Sequence, residues 1–303
     1  MGLQKEIWLN AIVEGLFADN TFAARALDHS GFVQNKTVHV PNAGAAPTVE
    51  KGRSTFPATV AERVDVDLNY SIDEYTTDPI RIGHADQVEL SYSKRESVIR
   101  TSRNALTEKV HDNVIYNWIP SSPTVIATLG SSYSATGELN ATTTGNRKKM
   151  DAATVLAVKK QFDKDNVPQA GRCMLLDAVM YNQLLESLSD AAVANFLAGA
   201  DPEKGIIGQY MGFSFYMRSK VAQTAADGTV KAWSASAAAT DCAAGIAWHE
   251  DAVSIALGDV VMFEQNNDPA YYGDIVSFLV RCGGKNVRND KKGIAVVYQG
   301  TPA

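Results

Sequence analysis

The chain has 303 residues, 45% of them hydrophobic and 20% charged, and its formal net charge at pH 7 is −6. This composition indicates a folded protein with a sizeable core, and the acidic balance excludes a basic domain dedicated to gripping nucleic-acid phosphates. No apolar run approaches the ~18 residues of a membrane span, and the N-terminus lacks the features of a signal peptide. We therefore expect a cytoplasmic protein, or a particle assembled in the cytoplasm.

Near the N-terminus, apolar residues at helical spacing predict a short amphipathic helix over residues 3–17. A short strand over residues 37–40 follows, which we expect Pro41 to end. A stretch rich in glycine, alanine and proline then leads to residue 62.

The clearest pattern is strict alternation of apolar and polar residues over residues 64–73. Period two predicts one long strand with a dry face and a charged, wet face, about 33 Å long at ~3.3 Å per residue. Joined to the strand before Pro41, it predicts a long hairpin, which alone is marginal in water and needs a surface to lie upon. The dry face consists of Val64, Val66, Leu68, Tyr70 and Ile72.

Residues 92–119 predict one long helix, without an internal glycine or proline. Ser91 or Ser93 can cap its start and Pro120 ends it. At 1.5 Å per residue it is a rod of about 40 Å. Its polar face carries Arg100 and Arg103, and its apolar stripe consists of Val98, Leu106, Val110, Val114 and Trp118.

The remainder predicts compact α+β structure. Asp151 caps a helix that extends to Phe162, and Asp177 caps a second helix that extends to Leu188. We expect a buried strand at residues 172–176, a loop excursion at residues 222–242, and terminal strands at residues 259–264, 274–282 and 293–299. Residues 121–146 are rich in serine, threonine and glycine and predict irregular or weak strand structure.

The search for catalytic or metal-binding motifs yields only weak candidates. Cys173, Cys242 and Cys282 form no CxxC pair, and we expect them to be buried, reduced thiols. His249-Glu250 lacks the second histidine of the zinc-protease motif, so a strand-end histidine is the favoured interpretation. The acidic residues near the long strand are Asp65, Asp67, Asp73, Glu74 and Asp78. A cation site formed by them is a weaker possibility, because two of the five belong to the wet face of the strand.

The order of these parts resembles one known family. The string RCMLLDAVMYNQLL, residues 172–185, is similar to the strand-to-helix passage of tailed-bacteriophage major capsid proteins of the Hong Kong 97 type. Residues 205–221 and 247–259 resemble further segments of that family, as do KTVHVPNAG and the passage from DEYTTDPIRI to KRESVI. The order of these strings along the chain is that of the family.

The resemblance implies an α+β fold with the family's parts in order. These are an N-terminal arm at residues 1–35, an extended hairpin (E-loop) at 36–90, the spine helix and first part of the P-domain at 91–150, an A-domain at 151–251, and terminal P-domain strands at 252–303. It also implies a structural, non-enzymatic protein without cofactors.

The implied function is assembly. The resemblance implies hexamers and pentamers of the chain in an icosahedral virion shell, which is assembled in the host cytoplasm and encloses double-stranded DNA without sequence-specific or membrane contacts. Because the first predicted helix begins almost at Met1, a separate scaffolding protein is implied, together with a portal. Candidate contacts between subunits are Lys51, Arg53, Arg63, Val64, Val66, Leu68, Tyr70, Ile72, Arg100 and Arg103.

Two alternatives remain open from the sequence. An encapsulin-like nanocompartment has a similar fold and holds cargo enzymes in place of a genome. A hydrolase or metal enzyme would have to use the acidic cluster or His249. Microscopy of particles with their contents distinguishes the first alternative, and bound-metal analysis the second.

Overall fold

The structure is a computed structural model that describes residues 21–34, 36–44, 47–58, 60, 62–83 and 94–302. The helix predicted at residues 3–17 and the serine caps predicted at Ser91 or Ser93 lie outside these residues. The α-helices within them are α1 (Lys94–Trp118), α2 (Ala152–Lys164), α3 (Ala178–Ser187) and α4 (Asp190–Ala198). The strands are β1 (Leu27–Asp28), β2 (Val33–Gln34), β3 (Thr37–Asn42), β4 (Val66–Ser71), β5 (Asp73–Thr76), β6 (Ile80–Gly83), β7 (Thr124–Ala127), β8 (Ser132–Ser134), β9 (Asn146–Lys148), β10 (Arg172–Asp177), β11 (Gly208–Tyr210), β12 (Phe213–Arg218), β13 (Ala222–Thr224), β14 (Cys242–His249), β15 (Val253–Asp268), β16 (Gly273–Asn286) and β17 (Ile294–Tyr298).

The predicted long helix is confirmed as α1, with 25 residues. Its apolar stripe is buried as expected at Leu106, Val110, Val114 and Trp118. At the end of the helix, the indole nitrogen of Trp118 donates to the carbonyl oxygen of Ser254 in β15 at 2.8 Å. The helix is therefore fixed against the strands by both apolar burial and a buried hydrogen bond.

A seven-stranded sheet in the order β11-β12-β10-β14-β17-β7, with β13 beside β14, forms one half of the fold. Helices α2, α3 and α4 cover one face, where Met174 and Leu176 of β10 join the same core cluster as Phe162 of α2 and Phe196 of α4. Leu175, between them in β10, points to the opposite cluster, which includes the stripe of α1. Because both faces are covered, β10 is a continuous apolar run instead of an alternating one.

A five-stranded sheet forms the other half, in which β15 and β16 make a long antiparallel ribbon. Strand β1 pairs in parallel with β15, and β5 and β6 both pair with β16. The predictions of strands at residues 259–264 and 274–282 are shorter than the observed β15 and β16. The side-chain pattern breaks at irregularities between Leu257 and Val260 and between Gln265 and Asp268, but backbone pairing continues across them.

Two elements of the seven-stranded half were not predicted. The helix predicted from Asp177 to Leu188 agrees with α3, but a further helix, α4, follows it and begins where the Ser189 side chain accepts a bond from the Ala192 amide. Strand β14 was not predicted, since its sequence CAAGIAWH is poor in large residues, yet every residue of it is buried. Small residues are needed there: a Cβ at Gly245 would lie 2.7 Å from the Leu175 carbonyl oxygen.

The helix caps and the cysteines agree with the sequence predictions. The Asp151 side chain accepts a bond from the Thr154 amide, and the Asp177 side chain accepts one from the Met180 amide. The thiols of Cys173, Cys242 and Cys282 are free and buried.

The ionisation of Asp177 should make the free energy of unfolding depend on pH. Burial raises the pKa of Asp177 to about 6, against ~3.9 in an unfolded chain. Because the folded pKa is higher, its contribution to stability is complete below pH 4 and is lost as the pH rises through about 6. Asp177→Asn keeps an oxygen for the cap and removes the charge, so it should gain about 2 kcal/mol relative to wild type between pH 4 and pH 7.

Urea unfolding of both proteins at several pH values measures this difference. The control is Asp151→Asn, which makes the same exchange at the half-buried cap of α2. A free-energy difference for Asp177→Asn that does not change with pH would contradict the assignment.

Candidate functional site

The predicted hairpin is present, and its two strands are β3 and β4, which pair in register from Thr37 with Ser71 to Asn42 with Val66. Pro41 was expected to end the first strand, but it lies within β3. Strand β2 pairs with β3 only at Thr37 and Val38. The outer side of β3 at Pro41 therefore faces no described strand, and such an edge position tolerates proline.

The single strand predicted over residues 64–73 is wrong as one element. It begins as β4 at Val66, leaves that sheet after Ser71, and continues as β5 against β16 in the five-stranded sheet. The amide of Ile72 donates to the Lys36 carbonyl at the corner. Alternation of side chains cannot reveal this change of sheet, because both strands keep the same period.

The predicted dry face over residues 64–72 is buried at the hairpin root and exposed at its far end. Tyr70 and Ile72 are each 7% exposed and pack with Val38 and Ala256 in a core cluster of their own chain. Leu68 is half-buried, whereas the side chains beyond it are uncovered. Val66 is 43% exposed and Val64 is 74% exposed.

Cations hold several acids of the hairpin and its root. Arg63 donates to both carboxylate oxygens of Asp65, at 2.6 and 2.9 Å. With the Gly44 amide, which donates to the same group, it lowers the pKa of Asp65 to about 2. His39 lies 2.7 Å from Asp67, and Arg281 pairs with Glu74. These acids neutralise cations along the strands.

The distal part of the hairpin presents large apolar side chains that the sequence analysis did not select. Val49, Phe56 and Val60 are 92%, 77% and 95% exposed. The signal was available, because large apolar residues are unusual in a stretch of glycine, alanine and proline. Lys51 is exposed in the same region, and Arg53 pairs with Glu50 at 3.2 Å.

The predicted cationic positions of α1 lie apart from the hairpin. Arg100 is exposed, and Arg103 is half-buried with its Nε atom covered and without a hydrogen-bond acceptor. Within the described residues, no ion pair or hydrogen bond joins either side chain to the hairpin. The remaining candidate contacts lie on two surfaces, which we call the hairpin arm (residues 44–66) and the α1 cations (Arg100 and Arg103), whereas Leu68, Tyr70 and Ile72 belong to the hairpin root.

His249 has a structural environment. It ends β14, its Nε2 donates to the Ala170 carbonyl oxygen at 2.8 Å, and its Nδ1 accepts from the Asp251 amide at 3.2 Å. Both ring nitrogens are occupied, which agrees with a strand-end histidine at a turn. Across the described ranges, no group of three or more His, Cys, Asp or Glu side chains is arranged to hold a metal ion, and no helix is long and apolar enough to cross a membrane.

A hairpin with a buried root and an exposed arm, a 25-residue helix, and two sheets that share a core with this helix define the fold of a shell-building subunit of the Hong Kong 97 type. Residues 29–294 match the family model described as phage capsid protein. The chain belongs to the phage capsid protein family, and it is a major capsid protein. No curated protein matches the chain.

Solved structures share this fold at low sequence identity. The capsid of Ralstonia phage GP4 is similar with a TM-score of 0.62 and 14% identity, covering 96% of this chain and 91% of that chain. The capsid of cyanophage P-SCSP1u gives a TM-score of 0.61 and 19% identity, over 92% and 87% of the two chains. A virus-like particle from Pyrococcus furiosus gives a TM-score of 0.55 and 13% identity, over 97% and 99%.

Substitutions at the hairpin root and in the arm should have different effects on the stability of the subunit. Tyr70→Ala removes a buried ring and the hydroxyl that accepts from Ser254 Oγ at 3.1 Å, so it should cost about 3 kcal/mol of unfolding free energy. Val64→Ala removes atoms that are mostly in solvent and should change stability by less than about 0.5 kcal/mol. Urea unfolding of the unassembled protein measures both.

Tyr70→Phe is the matched control at the root, because it removes only the hydroxyl and should cost about 1 kcal/mol. Equal effects of Tyr70→Ala and Val64→Ala would mean that the burial gradient along β4 is not present in the isolated subunit.

Proposed function

We propose that this capsid protein assembles as hexamers and pentamers into a closed icosahedral shell around the double-stranded DNA of a tailed phage, and that the hairpin arm is its main contact with a neighbouring subunit. The observation that carries the proposal is the exposure gradient of the hairpin. Its root belongs to its own subunit's core, while the arm carries apolar side chains that nothing in the described chain covers.

The energetics favour a neighbouring copy as the surface that covers the arm. Burial of a valine or phenylalanine side chain contributes roughly 1.5–3 kcal/mol when it is complete. Burial against a neighbouring subunit would therefore provide a substantial favourable free energy from Phe56, Val60 and Val64. A contact between an arm and a different surface of the next copy is heterologous, and such contacts generate rings when the rotation closes. Repetition of one modest contact around a shell is sufficient for a stable particle.

The α1 cations support a second contact. Arg100 is exposed, and Arg103 holds a covered Nε atom without an acceptor, which is costly unless an acceptor is supplied. We place the carboxylates of a neighbouring subunit's arm or N-terminal segment there. Glu50 and Glu62 are candidates in the arm, since Glu62 forms no described ion pair and Glu50 pairs only with Arg53.

The remaining features of the proposal follow from the class of protein and from the charge. A net charge of −6 suits a wall that encloses DNA without gripping its phosphates. We further propose a non-enzymatic subunit that works with a separate scaffolding protein and a portal, and assembly in the host cytoplasm. The division into arm, hairpin, spine, A-domain and P-domain at residues 35, 90, 150 and 251 remains a prediction.

A cargo-holding nanocompartment is the alternative function, and the fold alone is compatible with it. The match to the phage capsid protein family favours the phage shell. Electron microscopy of particles purified with their contents distinguishes the two, because a shell that packages cargo protein and no genome-length DNA would exclude the phage function.

Removal of the arm should abolish assembly and spare the fold. We expect a chain in which Asn-Gly replaces residues 44–62 to stay folded, because the last paired residues, Asn42 and Val66, and the buried root remain. The product should be a monomer or small oligomer under conditions in which wild type, expressed with its scaffolding protein, forms closed particles. Circular dichroism, thermal melting and sedimentation measure this.

A milder variant tests the same contact without shortening the chain. Phe56→Ser with Val64→Ser removes apolar area from the arm and should weaken assembly in the same direction. Intact shells from the truncated chain would refute the proposed role of the arm, and loss of folding would show that the arm belongs to its own subunit's core.

Charge reversal on α1 should impair assembly without unfolding the subunit. Arg100→Glu with Arg103→Glu places like charges opposite a neighbour's carboxylates, where repulsion is costly. We expect soluble protein that gives few or misshapen particles by negative-stain microscopy. The control is Lys160→Glu with Lys164→Glu, which makes the same charge change at exposed positions of α2. Normal particles from the α1 variant would identify Arg100 and Arg103 as ordinary solvated side chains.

A further inference from the structure

Residues 21–30, which we call the strap, contact α1, both sheets and the hairpin root. At the start of the strap, Phe22 is 3% exposed and inserts between α1 and β14. Its ring meets the rings of Trp118 and Trp248 edge-on, with centroids 5.8 and 6.3 Å away. Three residues later, Arg25 donates to the Tyr216 hydroxyl of β12 and its carbonyl accepts from Trp248. The first half of the strap is therefore bound to the seven-stranded sheet and α1.

The second half of the strap is bound to the five-stranded sheet and to the hairpin root. Leu27 and Asp28 form β1 along the edge of β15. The His29 amide donates to the Ile255 carbonyl, and the Ser30 hydroxyl accepts from the Leu257 amide. The Tyr70 hydroxyl of β4 lies 3.4 Å from Nδ1 of His29. The docked strap thus adds a contact to the hairpin root, which β15 also holds directly.

The socket that receives Phe22 is not a purely apolar one. His111 of α1 meets the Phe22 ring edge-on at 5.8 Å, and the guanidinium of Arg218 lies 5.6 Å from the ring centre. Nε2 of His111 and Nη1 of Arg218 are buried and have no hydrogen-bond partner. Docking of Phe22 keeps both atoms out of water without a hydrogen-bond partner. This desolvation costs free energy and offsets part of the free energy that docking gains.

Protonation of His111 is incompatible with a docked Phe22. Nδ1 already donates to the Thr107 carbonyl at 2.8 Å, so the added proton must reside on Nε2, which has no acceptor. The charged groups around the socket are Arg218 from β12 and, on α1, its ion-pair partner Asp112 at 2.9 Å, with Glu108 and Lys109 nearby. A protonated His111 would place a second cation beside Arg218 in a site closed by an aromatic ring.

The titration of the neighbouring groups acts in the same direction. Burial lowers the pKa of His111 to about 4. Burial also raises the pKa of Asp112, the partner that balances Arg218, so Arg218 loses this counter-charge earlier on acidification than an exposed carboxylate would allow. Because the pKa of His111 is depressed in the docked state, docking is complete above pH 6.5 and is lost as the pH falls towards 4.

We propose that the strap is an acid-releasable clamp, in which protonation of His111 expels Phe22 from its socket and releases the strap from the edge of β15. The two sheets and α1 stay folded when the strap leaves, because they share a core cluster to which the strap contributes few side chains. The inference concerns a single subunit and does not depend on which surfaces the shell uses.

Hydrogen exchange on the full-length, unassembled protein tests the proposal. Exchange rates, corrected for the intrinsic effect of pH, are measured by mass spectrometry between pH 7 and pH 4. If the strap accounts for the whole shift of the His111 pKa from 6.5 to about 4, docking weakens by about 100-fold at pH 4, so protection of residues 21–30 should fall by up to this factor. Strand β10 should stay protected, and tryptophan fluorescence should change over the same pH range as Trp118 and Trp248 lose contact with Phe22.

Variants identify the group that responds. His111→Gln cannot acquire a charge and should keep the strap protected at pH 4, whereas Phe22→Ala should leave it unprotected at both pH values. His29→Gln and His39→Gln are controls and should respond to acid as wild type does. An unchanged response in His111→Gln, loss of the response in His29→Gln, or stable protection of the wild-type strap at pH 4 would each overturn the proposal. If His111→Gln does not fold, the absence of the fluorescence change in Phe22→Ala decides the question.

Discussion

The relative positions of α1 and the two sheets depend on the contacts of one buried side chain, Trp118. This side chain at the end of α1 is fully buried, donates to the Ser254 carbonyl of β15, and packs against Trp248 of β14 with ring centres 5.5 Å apart. It therefore touches the helix, the long ribbon and the central strand of the seven-stranded sheet at one point. A cavity there would cost the protein several kcal/mol and would loosen the two sheets from each other.

The direction of the hairpin follows from this junction. Strand β5 pairs with β16, and β16 lies against α1, so the corner at Ile72 from which the hairpin leaves is fixed by the same core. The side chain of Ile72 itself packs in the smaller cluster at the hairpin root. A buried root with an exposed arm suits the proposed contact between subunits, because the point at which the arm leaves the subunit is already fixed. The apolar side chains of the arm bury little surface within their own subunit, and the proposed contact would bury them.

The same organisation accounts for the side chains that could have suggested catalysis or metal binding. The acids that alternate along the hairpin pair with Arg63 and His39, and His249 has both ring nitrogens occupied by backbone groups. These contacts are structural ones. Within the described residues, several of the polar side-chain atoms that remain buried without partners lie on or near α1, at Arg103, Thr107, His111 and Arg218.

The sequence by itself determined the elements whose signals are local. The unbroken stripe of α1, the caps at Asp151 and Asp177, and the apolar run of β10 were all predicted, because helical period, capping side chains and buried strands are encoded by neighbouring residues. The family and the fold class also followed from the order of these parts. Only the tertiary structure decided which strand joins which sheet. The change of sheet at Ile72 and the strand β14 depend on residues distant in sequence, since Gly245 must fit beneath Leu175. Burial along β4 could not be predicted either: Tyr70 and Val64 look alike in an alternating pattern, and only the presence of Ala256 and Val38 beside one of them makes it core.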